Sequence, residues 1–163
     1  MSRVTLVHHI NIQISNRERT REWYEKVFDA EFLDRGPELN KRQLQFKLGT
    51  AEIHTTDTPN PAPVPSNHFA VEIHDWDEMM AHLDELGVPY SPRAGAKTGT
   101  GSSYGHREYS SACYTYVHDP DGNMIELVHH PLGAKDSEGN KVELLHDPKS
   151  LTWARLPGFG PSN

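Results

Sequence analysis

The sequence predicts an α+β fold made of two similar strand-helix-strands units, and three observations predict it. A strand of alternating apolar and polar residues is followed by a helical pattern twice, once from His9 and once from His68. A proline-rich run separates the two occurrences, and each half closes with a pair of short strands. At 163 residues the chain has the length of one compact domain, or of two small halves sharing a core.

The first strand reads from Val4 to Ser15, with Ile10, Ile12 and Ile14 on one face and His9, Asn11 and Gln13 on the other. Asn16 is the expected N-cap of the helix that follows. Trp23, Tyr24, Val27 and Phe28 fall at helical spacing and predict about 12 helical residues. RQLQFKLG and TAEIHTTD read as strands, bounded by Gly49 and by TPNPAPVPSN, which places four prolines in ten residues and can continue neither helix nor sheet. Beyond it NHFAVEI reads as a strand and WDEMMAHLDELG as a helix closed by Gly87. ACYTYVHD and NMIELVHH are strands joined by the turn Asp119-Pro120-Asp121-Gly122. Aligning His9 on His68 superimposes HINIQI on HFAVEI.

These patterns divide the chain into a first unit (1–58), a linker (59–67), a second unit (68–130) with a long loop (91–111), and a C-terminal arm (131–163). Two strand-helix-strands units can close a concave sheet that neither closes alone, with a shared cleft between them. The Gly-, Ser- and Thr-rich loop reads either as a lid over that cleft or as a plain surface loop. The arm, with Trp153, Leu156 and Phe159 as sparse anchors, would pack on its own body or on a second subunit.

Composition narrows the function. A hydrophobic share of 35% is enough for a core and excludes a disordered chain. A formal charge of −7 opposes binding to nucleic acid or to an anionic membrane. No stretch approaches a membrane span, and the start MSRVTLVHHINI lacks the pattern of a secretory leader, so the cytoplasm is the expected compartment. One cysteine, Cys113, excludes an intrachain disulfide framework and an all-thiolate metal site, whereas 11 histidines make the chain rich in imidazole.

His9 and His68 start matching strands on the face opposite the apolar stripe, and Glu126 sits in the last strand, directed to the same space if that face lines the cleft. Two neutral imidazoles and a carboxylate form a three-donor face that leaves positions open on an octahedral divalent ion, a set suited to iron(II), manganese or nickel.

His9 in HHINI, the helix REWYEKVF, His68 in NHFAVEI and DPDGNMIEL ending at Glu126 together resemble the vicinal oxygen chelate superfamily, which includes glyoxalase I, bleomycin and fosfomycin resistance proteins and extradiol dioxygenases. The resemblance covers about residues 4 to 130. It implies two βαβββ modules in a half-open barrel around a metal-binding cleft, with His9, His68 and Glu126 as ligands. The run from Tyr116 to Glu126 resembles the extradiol dioxygenase signature, with Tyr116 separated from Asp119-Pro120 by two residues and leading to the ligand glutamate. His106 falls near where those enzymes carry a further histidine. Tyr104 and Thr115 depart from that signature, and the His106-to-Tyr116 interval is slightly long.

His54 closes the first unit at the position matching Glu126. Extradiol enzymes place an acid-base histidine there and glyoxalase I a carboxylate ligand, so the resemblance implies His54 as acid-base group or as fourth ligand. An imidazole with an ordinary pKa near 6.5 can take a catechol proton and return it. Tyr116 and His106 would complete the catalytic set. Iron(II) is the expected metal, with Mn(II), Ni(II) or Zn(II) as alternatives that the same donors accept. The expected activity is extradiol cleavage of a catechol-like small molecule by a homodimer. The alternatives are a glyoxalase-like lyase or isomerase and a metal-free antibiotic-binding protein.

Overall fold

The computed structural model describes residues 7–93, 102–107 and 111–131. The opening residues of the first strand, parts of loop 91–111 and the C-terminal arm from 132 onward lie outside them. The chain divides after Pro59 into two compact units.

The first unit runs through β1 (His9–Ile14), α1 (Arg17–Phe28), β2 (Glu31–Phe32), α2 (Pro37–Asn40), β3 (Gln45–Leu48) and β4 (Ala51–Asp57). Its sheet has the order β1-β4-β3-β2, with β1 and β4 parallel and the other pairs antiparallel. Alternation along β1 works as the sequence predicts: Ile12 and Ile14 are buried while His9, Asn11 and Gln13 are exposed. Ile53 and Phe46 are buried with them, and the Tyr24 ring lies 4.5 Å from that of Phe46, which places α1 against this face.

The helix begins where its cap allows. Asn16 has extended backbone and accepts from the Arg19 N–H at 3.0 Å, and Asp29 ends the helix in the left-handed region at φ 51°. Asn16→Ala is expected to lower stability by about 1 kcal/mol, measured as a shift in urea midpoint at constant slope.

The second unit repeats the plan with β5 (His68–Glu72), α3 (Trp76–Leu86), β6 (Gly105–Arg107), β7 (Ala112–His118) and β8 (Met124–His129). Its sheet order is β5-β8-β7-β6, again with the first and last strands parallel. Asp75 caps α3 by accepting from Glu78 N–H at 3.0 Å, and Gly87 ends it at φ 65°. Leu83, Val117, Ile125 and Leu127 form the fully buried centre. The β7-β8 turn is held by the buried Asp119, whose Oδ1 accepts from Asp121 and Asn123 N–H and whose Oδ2 accepts from the Asn123 amide. Gly122 supplies the φ of 87° that this turn requires.

Register establishes that the repeat is structural. Asn11 pairs with His54 in the first sheet and Ala70 with Glu126 in the second, so His54 and Glu126 hold equivalent positions. The architecture is α+β with two four-stranded mixed sheets.

Three short elements carry no local signal in the sequence, β2, α2 and β6; the βαβββ plan that the resemblance implies calls for β2 and β6, and α2 is additional to it. Strand β6 lies inside what reads as a loop, because three residues carry no alternation and its pairing to β7 alone defines it. Gly105 permits that pairing: a Cβ there would lie 2.7 Å from the Tyr114 ring. Among the described residues no helix is long and apolar enough to cross a membrane.

Candidate functional site

In the second unit the face of β8 away from the helix-covered core carries Glu126, buried to 6% exposure. Tyr116 is its direct cross-strand neighbour on β7. His68, at the start of β5, holds Nδ1 3.0 Å from the Ser66 carbonyl and Nε2 3.0 Å from Glu126 Oε2. The carbonyl can only accept, so Nδ1 carries a proton there and the tautomer is fixed. Nε2 then faces a carboxylate oxygen at hydrogen-bond distance, so either a second ring proton or a cation lies between them. Arg107 on β6 donates from Nη2 to the other oxygen, Oε1, at 2.6 Å, and its guanidinium lies 4.7 Å over the Tyr114 ring. The Tyr116 hydroxyl is raised above its ordinary pKa by burial, then by the charge of Glu126 and a hydrogen bond to it, so it stays a donor at neutral pH.

The first unit carries a related cluster on the polar face of its sheet. His9 and His54 stack with centroids 4.1 Å apart and planes 10° from parallel. Glu52, 2% exposed, sits two residues before His54 on β4 and therefore on the same face. Its Oε2 lies 2.8 Å from His54 Nε2, and its Oε1 accepts from Arg35 Nη2 at 2.6 Å. Burial alone would raise the Glu52 carboxyl. The His54 hydrogen bond and the Arg35 guanidinium together outweigh that and hold it below its ordinary value. An ionised Glu52 accepts only, so His54 Nε2 is the protonated nitrogen and Nδ1 keeps the lone pair. His9 Nδ1 lies 3.0 Å from His8 Nδ1. Burial and the neighbouring His54 and His8 lower the His9 pKa, which keeps the ring neutral at pH 7.

The structure thus groups His68, Glu126 and Tyr116 in one unit and His9 with His54 in the other. It sets His106 apart. The β6-β7 register pairs His106 with Cys113, one residue out of step with Arg107 and Tyr114, so His106 lies on the sheet face opposite Glu126. There its Nδ1 is 3.5 Å from Cys113 Sγ, and its ring meets Tyr104 edge-on at 5.4 Å. Burial, with the Asp77 charge second, raises the Cys113 thiol, so less thiolate is present at pH 7 than for a free cysteine. Alkylation of Cys113 by iodoacetamide at pH 7 is expected to be slower than that of free cysteine, with the rate still climbing at pH 9; a faster reaction would contradict this.

The sequence reading omitted Glu52, Arg35 and the bond from Arg107 to Glu126. The spacing of Glu52 from His54 marks a shared strand face and was available; Arg35 and Arg107 come from a loop and an unread strand. Among the described residues no group of three or more His, Cys, Asp and Glu side chains forms a cluster able to hold a metal ion. The donors do fit one by chemistry. With the ring neutral, His68 Nε2 and Oε2 of Glu126 are two acceptors 3.0 Å apart, an arrangement that a cation between them satisfies as a ring proton otherwise does.

Residues 6–127 match the Glyoxalase/Bleomycin resistance protein/Dioxygenase superfamily. A curated relative, the trivalent organoarsenical cleaving enzyme of Bacillus sp. (strain MD1), is 27% identical over 74% of this chain and 71% of its own. A glyoxalase family protein from Bacillus anthracis shares the fold with a TM-score of 0.65 and 24% identity, over 80% of this chain and 98% of that one. The fosfomycin resistance protein FosX from Listeria monocytogenes does so with a TM-score of 0.60 and 18% identity, over 79% and 96%. The duplicated strand order, the equivalence of His54 with Glu126 and the match over residues 6–127 agree, and the chain belongs to the glyoxalase/bleomycin resistance protein/dioxygenase superfamily.

Proposed function

We propose that the protein is a divalent-metal enzyme of the extradiol dioxygenase type, using iron(II) and acting on a catechol-like molecule with two adjacent oxygens. His9, His68 and Glu126 are the proposed ligands. The observation that carries this reading is the confrontation of His68 Nε2 with Glu126 Oε2 at 3.0 Å, with the imidazole tautomer already set by Ser66. A neutral His9 is in the protonation state that ligation needs.

Iron(II) bound by these donors supplies the Lewis-acid and redox chemistry that ring cleavage by dioxygen requires. The remaining work belongs to the side chains. His54, its Nε2–H held by Glu52, accepts the substrate hydroxyl proton at Nδ1 and later returns it. Tyr116 keeps its proton and donates to a substrate oxygen beside Glu126. A homodimer is proposed as the active assembly, checked by sedimentation at micromolar concentration.

The test is anaerobic loading with Fe(II), metal analysis, then oxygen uptake and formation of a yellow ring-cleavage product with a panel of catechols. Less than about a tenth of an equivalent of metal sinks the reading, since three donors of this kind bind divalent ions tightly. Metal without oxygen uptake, but with turnover of a hemithioacetal, moves the assignment to a glyoxalase-like lyase. His54→Gln is expected to retain metal and lose turnover by about 10²–10⁴-fold, the usual contribution of a general base; loss of metal instead makes His54 a ligand.

The Bacillus relative favours a second reading, cleavage of a trivalent organoarsenical by the same ligand set. Trivalent arsenic binds thiolates, and the single thiol of this chain lies on the sheet face opposite Glu126. Release of inorganic arsenite from a trivalent organoarsenical, with catechols inert, would establish that reading over the first.

A further inference from the structure

Glu126 is a buried carboxylate of the second unit, and its two oxygens face different partners. Oε2 faces His68 at 3.0 Å, and Oε1 takes the guanidinium of Arg107 at 2.6 Å. Arg107 is itself held from two sides. Its β6 backbone pairs with β7 at Ala112, and its guanidinium lies over the Tyr114 ring. Tyr114 in turn crosses above Gly105, where a Cβ would come within 2.7 Å of the ring. A continuous support therefore runs from Gly105 through Tyr114 and Arg107 to one oxygen of Glu126.

We propose that Arg107 is a positioning residue that divides the labour of the two Glu126 oxygens. This rests on the reading of Glu126 as a metal ligand. By occupying Oε1, Arg107 leaves Oε2, the oxygen that faces His68, as the ligating one, so the carboxylate ligates through one oxygen and one more coordination position stays open for a substrate with two oxygen donors. An unconstrained carboxylate could close on the ion with both oxygens and fill that position itself. Arg107 suits the task because its charge is permanent and its N–H geometry rigid. It acts only through Glu126, so its removal is expected to alter the metal site before it alters anything else.

Co(II) is the probe, read both by titration and by the visible absorption of the bound ion, which weakens as its coordination number rises. Arg107→Met is expected to weaken Co(II) binding by about 10- to 100-fold, the usual range for partners that orient a ligand, and to give a weaker visible band per bound ion. Arg107→Lys, which keeps a cation for Oε1, is expected to recover most of both. Gly105→Ala reaches the same site without touching the charge: by displacing Tyr114 it is expected to move both readouts in the direction of Arg107→Met, by a smaller factor. The metal-free melting temperature of each variant separates positioning from a structural role, which would lower it while leaving the band of bound Co(II) unchanged.

Wild-type affinity and spectrum in both Arg107→Met and Gly105→Ala overturn the proposal while the ligand reading stands. Wild-type affinity in Glu126→Gln instead overturns the ligand reading, and the role of Arg107 with it.

Discussion

Glu126→Gln is expected to lower affinity for Fe(II) or Co(II) on the order of 10³-fold and to abolish turnover. Glutamine keeps the shape and one carbonyl donor but removes the charge. One unit charge at about 4 Å is worth about 4 kcal/mol at an effective dielectric constant near 20, and each 1.4 kcal/mol is a factor of ten. The cost to folding is smaller. Arg107 loses its partner, but its side chain is 30% exposed and water can solvate it, while Tyr116 can still donate to the amide oxygen. Metal titration and denaturation on the same preparation check both halves of the statement. Unchanged affinity in a folded variant would remove Glu126 from the metal centre.

The largest effect on stability is expected from Phe46→Ala, at about 3–5 kcal/mol, the range for deleting a buried aromatic ring. Phe46 is 2% exposed, faces Tyr24 at 4.5 Å and stands in the middle of the face that α1 covers. Its truncation removes the ring contact and leaves a cavity between helix and sheet. Because a domain of this size has only about 5–15 kcal/mol in hand, the loss is a large fraction of the total. Urea unfolding followed by circular dichroism measures it, and a change below about 1 kcal/mol would mean that α1 does not depend on this contact. The strands involved also present Glu52 and His54 on the opposite face, so, if His9 is a ligand as proposed, metal binding is expected to weaken along with the fold.

Elements longer than four residues were legible because their signals are local. Alternating isoleucines mark β1, Asn16 and Asp75 mark helix starts, and Asp119 with Gly122 marks the last turn. The equivalence of His54 with Glu126 was legible for the same reason, since a repeat carries its own alignment. What was hidden depended on partners distant in sequence. Strand β6 exists because β7 is beside it, and its register, not its composition, sends Arg107 to one face and His106 to the other. Spacing placed His106 close to Tyr116 along the chain; the pleat separates them across the sheet. The arginines on Glu52 and Glu126 were hidden likewise, because a charge pair across a fold leaves no mark in a single sequence.

In both units the first strand is finished by the last, with β4 laid parallel along β1 and β8 along β5. Neither unit can close its sheet on the strength of neighbouring residues alone, so its folding rate is governed by the slow closure of a long intervening segment. The first unit has its closing strand by Asp57, before the proline run and before any of the second unit has left the ribosome. A chain growing at about 5–20 residues per second gives that unit a head start of about half a second to three seconds with no second β1-like strand present to compete for β4. The order of synthesis thereby protects a duplicated protein from the error its duplication invites, the pairing of one unit's closing strand with the other unit's opening one.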